Sequence, residues 1–361
     1  MNGERLPLDW ATKLRLSLHH PHSYSLLDVA AMVSTTTIDL SNHLFAPDFI
    51  TLSFYKIFGF PDLGALVVRK AAGHVFDKRK YFGGGTTEMT TCIEESWVVR
   101  KESSLHARLE DGTIAFRNIL ALKHAIKTHR KLFGGLEEVS KHASWLAEIL
   151  HERLASMAHY NGAPVCQIYQ SKDSSYRRSQ TQGPTVAFNV RRSNGTYIGP
   201  WHVGASLRAD RIHVRAGNVC NPAGIACALG VTAEWLRGAF DAGFRCNTDA
   251  DILGGIPIGI VRVTLGAMST LEDVDALVNC LLRSVVEHRD GFHATVEVYG
   301  KKREWMLESR SPSVSETTEI GTEPATPGRG EHASAVDTRR RLFPWLKRRR
   351  IWLSALVQTG R

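Results

Sequence analysis

Three short apolar runs in the first part of the chain constrain its fold more than any other feature of the sequence. They cover residues 25–30, 49–55 and 64–68, and helix-like stretches separate them. Short apolar runs bounded by polar segments are typical of buried strands. Because strands that alternate with helices are typical of α/β sheets, we predict that residues 24–124 form part of such a sheet.

The periodicity changes in the second half of the chain. Apolar residues recur on one helical face over residues 136–157, which predicts a long amphipathic helix. Further predicted elements are strands at 185–190 and 259–265, a helix from about Pro222 and a helix over about 271–286. These elements suit a smaller α+β unit.

The positive charge of the chain is concentrated at its end. The net charge is +9, and residues 291–361, with 13 Lys/Arg and 8 Asp/Glu, carry +5 of it. The remaining +4 is ordinary for a folded part of this size, which disfavours a nucleic-acid partner. Residues 309–337 are too rich in Ser, Thr, Glu, Pro and Gly to bury a core. We predict a partial large domain over 1–125, a small domain over 126–290, and a disordered linker with a basic tail over 291–361.

Other features of the sequence exclude several classes of protein. No run approaches the ~20 apolar residues of a membrane helix, and the N-terminus lacks the apolar segment of a signal peptide. We therefore expect no membrane partner. The cysteines lie scattered without a CxxC pair at Cys92, Cys166, Cys220, Cys227, Cys246 and Cys280. This usage favours free thiols in a reducing cytoplasm and gives no zinc site.

Asp28 and Lys56 are the first candidates for chemistry, because each ends an apolar run. A lysine desolvated in this way has a lowered pKa, which frees its amine to attack a carbonyl. Taken singly, Asp28 is more simply a loop acid or helix cap, and Lys56 a lysine whose ammonium reaches solvent. Together they suit pyridoxal 5'-phosphate, which needs a lysine for its Schiff base and an acid at its pyridinium nitrogen.

Groups suited to the phosphate of that cofactor lie nearby in the sequence. Ser53 precedes Lys56 by three residues, and residues 83–87 (Gly-Gly-Gly-Thr-Thr) combine backbone amides with hydroxyls. Successive backbone N–H groups form concavities that bind anions. A glycine triplet alone suits an ordinary loop equally well, so both interpretations remain open.

Several segments, taken in chain order, resemble a known family. They cover residues 28–31, 53–59, 81–86, 109–116, 213–224 and 259–275. In this order they resemble the amino-terminal, desulfurase-like domain of molybdenum cofactor sulfurase, a class V aminotransferase-fold protein, over about residues 24–290. The resemblance implies the α/β pyridoxal-phosphate-dependent transferase fold type I, with a mostly parallel sheet in a partial large domain and a smaller α+β domain.

The resemblance implies roles for the cofactor-binding residues. Lys56 would carry pyridoxal 5'-phosphate as a Schiff base, and Asp28 would contact its pyridinium nitrogen. Ser53 would bind the phosphate. Thr86 would bind phosphate too, reaching the cofactor of the partner subunit in a homodimer.

Two further residues would handle the substrate, which the resemblance implies is L-cysteine. Arg262 matches the arginine that clamps the substrate carboxylate, a bidentate task suited to guanidinium. Cys220 matches the cysteine that takes the sulfur as a persulfide. Its position before a helix start favours the thiolate. In the family the sulfur passes to the molybdenum cofactor, or to the molybdoenzyme that carries it.

Three functions remain open on the sequence alone. A sulfurase needs Cys220 together with Arg262. Another class V enzyme, such as a cysteine lyase or a kynureninase-like hydrolase, needs Lys56 and Asp28 but not Cys220. The third possibility is a non-catalytic fragment, a chain truncated at both ends relative to the family. Ala223 stands where the family usually has glycine, and because alanine adopts positive φ poorly, we expect a stiffer loop there.

Overall fold

The computed structural model describes residues 1–17, 23–217, 221–245 and 251–289. Cys220, Cys246 and the predicted linker and tail (291–361) lie outside these ranges. Within the ranges, no helix combines the length and the apolar character needed to cross a bilayer.

A three-stranded sheet organises the first part of the chain. Its elements, with the neighbouring helices, are α1 (Trp10–Leu16), β1 (Leu26–Asp28), β2 (Phe49–Ser53), α2 (Phe54–Phe58) and β3 (Gly64–Val68). The strand order is β1-β2-β3, with β1 parallel and β3 antiparallel to β2. Each of the three predicted runs contains a strand, the first two shorter than predicted, and only one of these two pairings is parallel.

One face of this sheet carries its small apolar core. Side chains alternate between the two faces of a strand, and Ile50 packs there with Val29 and with Val33, which lies in a 3₁₀ turn at Met32–Ser34. On the sheet as a whole, Leu26 and Leu66 remain 59% and 45% exposed. The sheet is therefore only partly covered.

A polar clamp stands where β1 and β2 begin. The carboxylate of Asp48 accepts hydrogen bonds from the backbone N–H of Ser25 (2.9 Å) and from its hydroxyl (2.8 Å). In return, the N–H of Asp48 donates to the carbonyl of Ser25 (3.1 Å). Arg15 and Arg69 pair with the same carboxylate at 3.2 and 3.1 Å.

The prediction of a strand over 49–55 is wrong at its end, because residues 54–58 form α2. Ser53 pairs with Gly64, the first residue of β3, so β2 has no strand partner beyond that point. The backbone then satisfies itself locally, with the N–H of Gly59 donating to the carbonyl of Tyr55 (2.8 Å). Lys56 consequently lies on a helix.

A hairpin and three helices follow. Their bounds are β4 (Thr87–Thr91), β5 (Trp97–Arg100), α3 (Leu105–Leu109), α4 (Phe116–Phe133) and α5 (Leu136–Ala155). The predicted long helix over 136–157 is confirmed as α5. The domain boundary proposed after residue 125 falls within α4 and remains a prediction.

A second, antiparallel sheet organises the rest of the described chain. The remaining elements are β6 (Cys166–Ile168), β7 (Thr185–Arg191), β8 (Tyr197–Ile198), α6 (Pro200–Ala209), β9 (Arg215–Gly217), α7 (Pro222–Leu229), α8 (Ala233–Asp241), β10 (Ile252–Leu253), β11 (Ile256–Pro257), β12 (Ile260–Thr264) and α9 (Leu271–Ser284). The strand order is β6-β7-β12-β9, with β8 beside β7. The predicted strands at 185–190 and 259–265 and both predicted helices are confirmed.

The main core of the chain belongs to this second sheet. Residues from α5, α6, α9 and one face of the sheet pack together with exposures of 1% or less: Leu146, Leu150, Leu154, Phe188, Leu207, Val261 and Leu281. A capping box starts α9, where the Thr270 hydroxyl and the Asp273 carboxylate each bind the other's backbone N–H. Periodicity, capping and packing therefore agree in this part of the chain.

Candidate active site

Three of the predicted site residues meet at one edge of the first sheet. Because β1 and β2 are parallel, with Asp28 opposite Thr51, their carboxyl ends lie at the same edge. Asp28 is the last residue of β1, and Ser53 is the last residue of β2. Lys56 follows three residues later in α2. Ligands of open α/β sheets bind at this kind of edge.

The side chain of Lys56 is exposed, contrary to the desolvation expected from the sequence, and the side chain of Asp28 is exposed as well. Phe54 and Phe58 stack on one side of α2, with centroids 6.4 Å apart. Lys56, two residues from each, points elsewhere. Its Nζ lies 5.9 Å from the centroid of the Tyr55 ring.

The carboxylate of Asp28 has a local partner. Its Oδ1 accepts a hydrogen bond from the N–H of Ala30 (2.9 Å). Within the described ranges it forms no ion pair. Because the side chain is exposed to water, it does not require a cationic partner.

A buried histidine, which sequence reasoning missed, supports the helix of Lys56. The ring of His129 on α4 packs edge-on against Phe58, with centroids 5.3 Å apart, and against Phe133 at 5.0 Å. His129 is 7% exposed, and burial lowers the pKa of its imidazole. Its spacing on an amphipathic helix was the only signal available in the sequence.

The position of Thr86 in the structure does not leave its hydroxyl available to bind a phosphate. Thr86 is 1% exposed. Its hydroxyl and its N–H both donate to the carbonyl of Gly83, at 2.7 and 3.0 Å. This geometry gives no support to the phosphate-binding role of Thr86, which stays a prediction.

The glycine triplet is packed against a segment more than twenty residues further along the chain. The N–H of Gly83 donates to Oδ1 of Asp111 (2.7 Å), and the N–H of Gly85 donates to the Asp111 carbonyl (2.9 Å). A Cβ atom on Gly83 would lie 2.4 Å from that carbonyl oxygen, and one on Gly85 2.5 Å from the carbonyl oxygen of Glu110. Glycine is required at 83 and 85 for this close approach.

Thr113 is a candidate that the sequence interpretation did not single out. It follows Gly112 directly after the Asp111 contact, and its side chain is exposed. Its hydroxyl makes no hydrogen bond to any residue in the described ranges. The pair Gly112-Thr113 was visible in the sequence, but no periodicity shows which of two threonines is buried.

Arg262 lies on the second sheet, whereas Asp28 and Lys56 lie at the edge of the first sheet. In β12 it stands between Ala187 of β7 and Arg215 of β9, and its side chain is half-buried. Burial and the charge of Arg262 lower the pKa of the Met1 ammonium, so the first residue of the chain lies near this guanidinium.

Helix α7 packs on the face of β12 that carries Ile260, and with it Arg262. Cys220 directly precedes Asn221, whose side chain caps α7 by accepting from the N–H of Gly224 (2.9 Å), but Cys220 itself is outside the described ranges. Ala223 is helical within α7, so the loop stiffness expected from this alanine does not arise.

The sequence of the whole region matches one family. The model for class V aminotransferases matches residues 11–277, a range that includes both sheets and every predicted site residue. The chain belongs to the class V aminotransferase family.

Relatives within this family share almost half of the aligned residues. The molybdenum cofactor sulfurase of Aspergillus niger is 46% identical over 317 residues, which are 83% of this chain and 38% of that protein. The molybdenum cofactor sulfurase of Emericella nidulans is 48% identical over 280 residues, 77% of this chain and 33% of that protein. The matched part of the chain thus spans about a third of the length of these relatives.

Solved structures confirm the predicted fold. The cysteine desulfurase CsdA from Escherichia coli superposes with a TM-score of 0.52 at 18% identity, over 73% of this chain and 52% of that one. A cysteine desulfurase from Thermococcus onnurineus NA1 gives a TM-score of 0.51 at 19% identity, over 71% and 51%. The chain has the α/β fold type I of pyridoxal-phosphate-dependent transferases.

Proposed function

We propose that this chain is the desulfurase-like part of a molybdenum cofactor sulfurase. It would take sulfur from L-cysteine with the help of pyridoxal 5'-phosphate, hold it as a persulfide on Cys220, and pass it to the molybdenum cofactor or the molybdoenzyme that carries it. The observation that carries the proposal is the parallel pairing of β1 and β2, which delivers Asp28 and Lys56 to one sheet edge. The 46% and 48% identity to sulfurases supports the choice of reaction.

The residues at this edge fit the cofactor. Asp28 offers an exposed carboxylate for a pyridinium nitrogen, Lys56 an exposed amine, and Ser53 a half-buried hydroxyl beside them in sequence. Within the described chain, only one oxygen of Asp28 is occupied, by the N–H of Ala30. When bound, the cofactor supplies an electron sink for the α-carbon of the amino acid.

The chain's own groups would then divide the work. Lys56 would hold the cofactor covalently and, once released by the substrate amine, take the α-proton. Arg262 would hold the substrate carboxylate through two parallel hydrogen bonds. The thiolate of Cys220 would attack the substrate sulfur as the bond between that sulfur and the β-carbon breaks; protonation of the carbon skeleton would then give alanine, and the sulfur would remain on Cys220 as a persulfide.

We infer that Thr113, not Thr86, supplies the hydroxyl for the phosphate of the partner subunit's cofactor. The hydroxyl of Thr86 is buried and committed to Gly83, whereas that of Thr113 is exposed. The homodimer that this requires is supported by the β4–β5 hairpin, on which Met89, Ile93 and Trp97 are 64%, 80% and 47% exposed. Such a hairpin is marginally stable without a surface to pack on.

We also propose a reducing, cytoplasmic location. Cys92, Cys166, Cys227 and Cys280 are free thiols. Burial raises the pKa of the Cys166 thiol to about 12, which suits an inert core residue.

Covalent labelling tests the proposed function. The chain is mixed with pyridoxal 5'-phosphate, reduced with borohydride and mapped by mass spectrometry. We expect the label on Lys56, its loss in Lys56→Arg, and no change in Lys123→Arg, which alters an exposed lysine of α4. Label on another lysine with none on Lys56 contradicts the proposal.

A second experiment separates sulfurase from lyase or hydrolase. Addition of L-cysteine to the loaded chain should give alanine and a persulfide on Cys220. Cys220→Ser should abolish the persulfide, because a hydroxyl cannot hold sulfane sulfur. Cys227→Ser is the matched control. A rate of cysteine turnover that is unchanged in Cys220→Ser favours another class V enzyme.

A further inference from the structure

The helix that carries Lys56 is too short to hold its own orientation. α2 spans only Phe54–Phe58, and none of its residues is fully buried. A helix of this length is not stable by itself in water, so its position depends on packing. Ile57 packs on the small core of the first sheet, and Phe58 packs on His129 of α4. The direction of Lys56 is therefore set by these two contacts.

The contact with α4 is a row of aromatic rings in which His129 is central. The ring centroids of Phe54 and Phe58 are 6.4 Å apart, those of Phe58 and His129 5.3 Å, and those of His129 and Phe133 5.0 Å. The two rings beside His129 are tilted from it by 83° and 62°, within the favourable edge-to-face arrangements. A change in the charge of His129 therefore acts directly on the ring that anchors α2.

The surroundings of His129 suit a neutral imidazole. The residue is 7% exposed, and its buried Nε2 has no hydrogen-bond partner among the residues that the structure describes. Protonation makes both ring nitrogens donors. It would thus place a charged N–H in an apolar pocket without an acceptor, which is unfavourable.

No carboxylate near His129 is placed to balance a proton, within the described part of the chain. Its own helix contains Lys and Arg but no Asp or Glu. The half-buried His142 of α5 is bonded elsewhere, to the carbonyl of Ser269 (2.8 Å). Burial alone lowers the pKa of His129. The other ionisable residues on the helices that α4 packs against are exposed at these ends: Tyr55 and Lys56 on α2, and Glu137, Glu138 and Lys141 on α5.

We propose that His129 is a positioning residue for Lys56, and that its neutral form packs α2 on α4 while acid below about pH 6.5 loosens this helix. His129 acts through Phe58 and does not touch the cofactor. Since His129 takes up a proton more readily outside its pocket than inside it, the packing is complete above about pH 6.5 and weakens as the pH falls. The effect on cofactor attachment rests on the proposed function, whereas the effect on α2 does not.

The first test measures cofactor attachment at two pH values. The chain is mixed with pyridoxal 5'-phosphate at about pH 7.5 or about pH 5.5, and the label is fixed with cyanoborohydride, which survives mild acid. His129→Phe keeps an aromatic ring that cannot titrate, and His124→Phe, which alters an exposed histidine of α4, is the matched control. All three proteins should label Lys56 equally at the higher pH.

At the lower pH, His129→Phe should retain about threefold more label on Lys56 than the unaltered chain, because a buried neutral histidine no longer has to be charged. His124→Phe should behave like the unaltered chain. A structural role alone would change the labelling by the same factor at both pH values. Equal labelling of the three proteins at about pH 5.5 overturns the proposal.

The second test follows α2 without cofactor. The N–H of Gly59 donates to the carbonyl of Tyr55 (2.8 Å), so its hydrogen exchange in the ¹⁵N-labelled chain reports on α2. Its protection, corrected for the intrinsic effect of pH on exchange, should fall about threefold between about pH 7.5 and pH 5.5 in the unaltered chain and in His124→Phe. It should stay constant in His129→Phe.

Protection of Gly59 that falls equally in all three proteins, or in none, overturns the proposal. If the protection behaves as expected but Lys56 takes no label at either pH, only the proposed function fails.

A titration of the unaltered chain covers the case in which His129→Phe does not fold. The ring signals of His129, followed by NMR, should titrate at lower pH than those of the exposed His124. The ring signals of Phe58 should shift with the same midpoint as His129. A His129 that titrates together with His124, or Phe58 signals that do not follow His129, overturns the proposal.

Discussion

The two sheets of this chain hold their functional groups by different means. The sheet of Arg262 rests on a large core, in which Leu150 and Phe188 are fully buried. The sheet of Asp28 buries few residues and relies on the polar clamp around Asp48. Groups proposed to bind cofactor thus stand on a scaffold held by local polar contacts, whereas the group proposed to bind substrate stands on an apolar core.

Core truncation should give the largest difference between the two sheets. Leu150→Ala in α5 should lower the free energy of unfolding by about 4 kcal/mol, because the tightly packed surroundings cannot collapse into the cavity. Ile50→Ala in β2 should lower it by about 2 kcal/mol, since this core is small and some of its members, such as Leu27 and Leu52, are only half-buried and can adjust. Urea unfolding followed by circular dichroism measures both. If the two substitutions lower the free energy of unfolding equally, the two sheets do not differ in the packing of their cores.

Loss of the clamp should come next. Asp48→Asn removes the charge that pairs with Arg15 and Arg69, and its side chain is only 12% exposed. We expect a loss of about 2 kcal/mol in the free energy of unfolding, typical of hydrogen bonds to a charged group. Asp77→Asn, at 52% side-chain exposure, is the control and should have little effect.

Asp48→Asn should also change how the free energy of unfolding depends on pH in the acidic range. Burial raises the pKa of Asp48, but the hydrogen bonds from Ser25 and the charge of Arg15 outweigh it and hold the pKa below the ordinary value of an aspartate. The stability that Asp48 contributes is present above its ordinary pKa and is lost as the pH falls through the lower value in the folded chain. Unfolding measured between about pH 5 and 2 should therefore be less pH-dependent in Asp48→Asn. An unchanged pH dependence means that the clamp does not hold this sheet.

The smallest effect should be at Ala223, on the better-packed sheet. Ala223→Gly in α7 should lower the free energy of unfolding by about 0.5–1 kcal/mol through helix propensity alone. Thermal unfolding measures the change. A gain in stability would mean that this position needs glycine, as the family pattern implies.

Much of the fold could be predicted because the spacing of apolar residues along the chain indicates individual strands and helices. The strand predicted over residues 64–68 and the helix predicted from 136 match β3 and α5. The helical position of Lys56 could not be predicted, since it depends on where β3 begins to pair with β2. The difference between Thr86 and Thr113 depends on the contact of Asp111 with Gly83, which sequence patterns do not encode.

The clamp of Ser25 and Asp48 also determines which way Asp28 points. Neighbouring residues of a strand face opposite sides of the sheet, so sliding β1 by a single residue against β2 would turn the Asp28 carboxylate to the other face. Ser25 and Asp48 set the alignment of β1 with β2 at the starts of the two strands. That alignment determines the direction of the Asp28 side chain at the end of β1. A change at Ser25 could therefore abolish cofactor binding without touching the cofactor, and in a mutational survey it would be mistaken for the loss of a ligand.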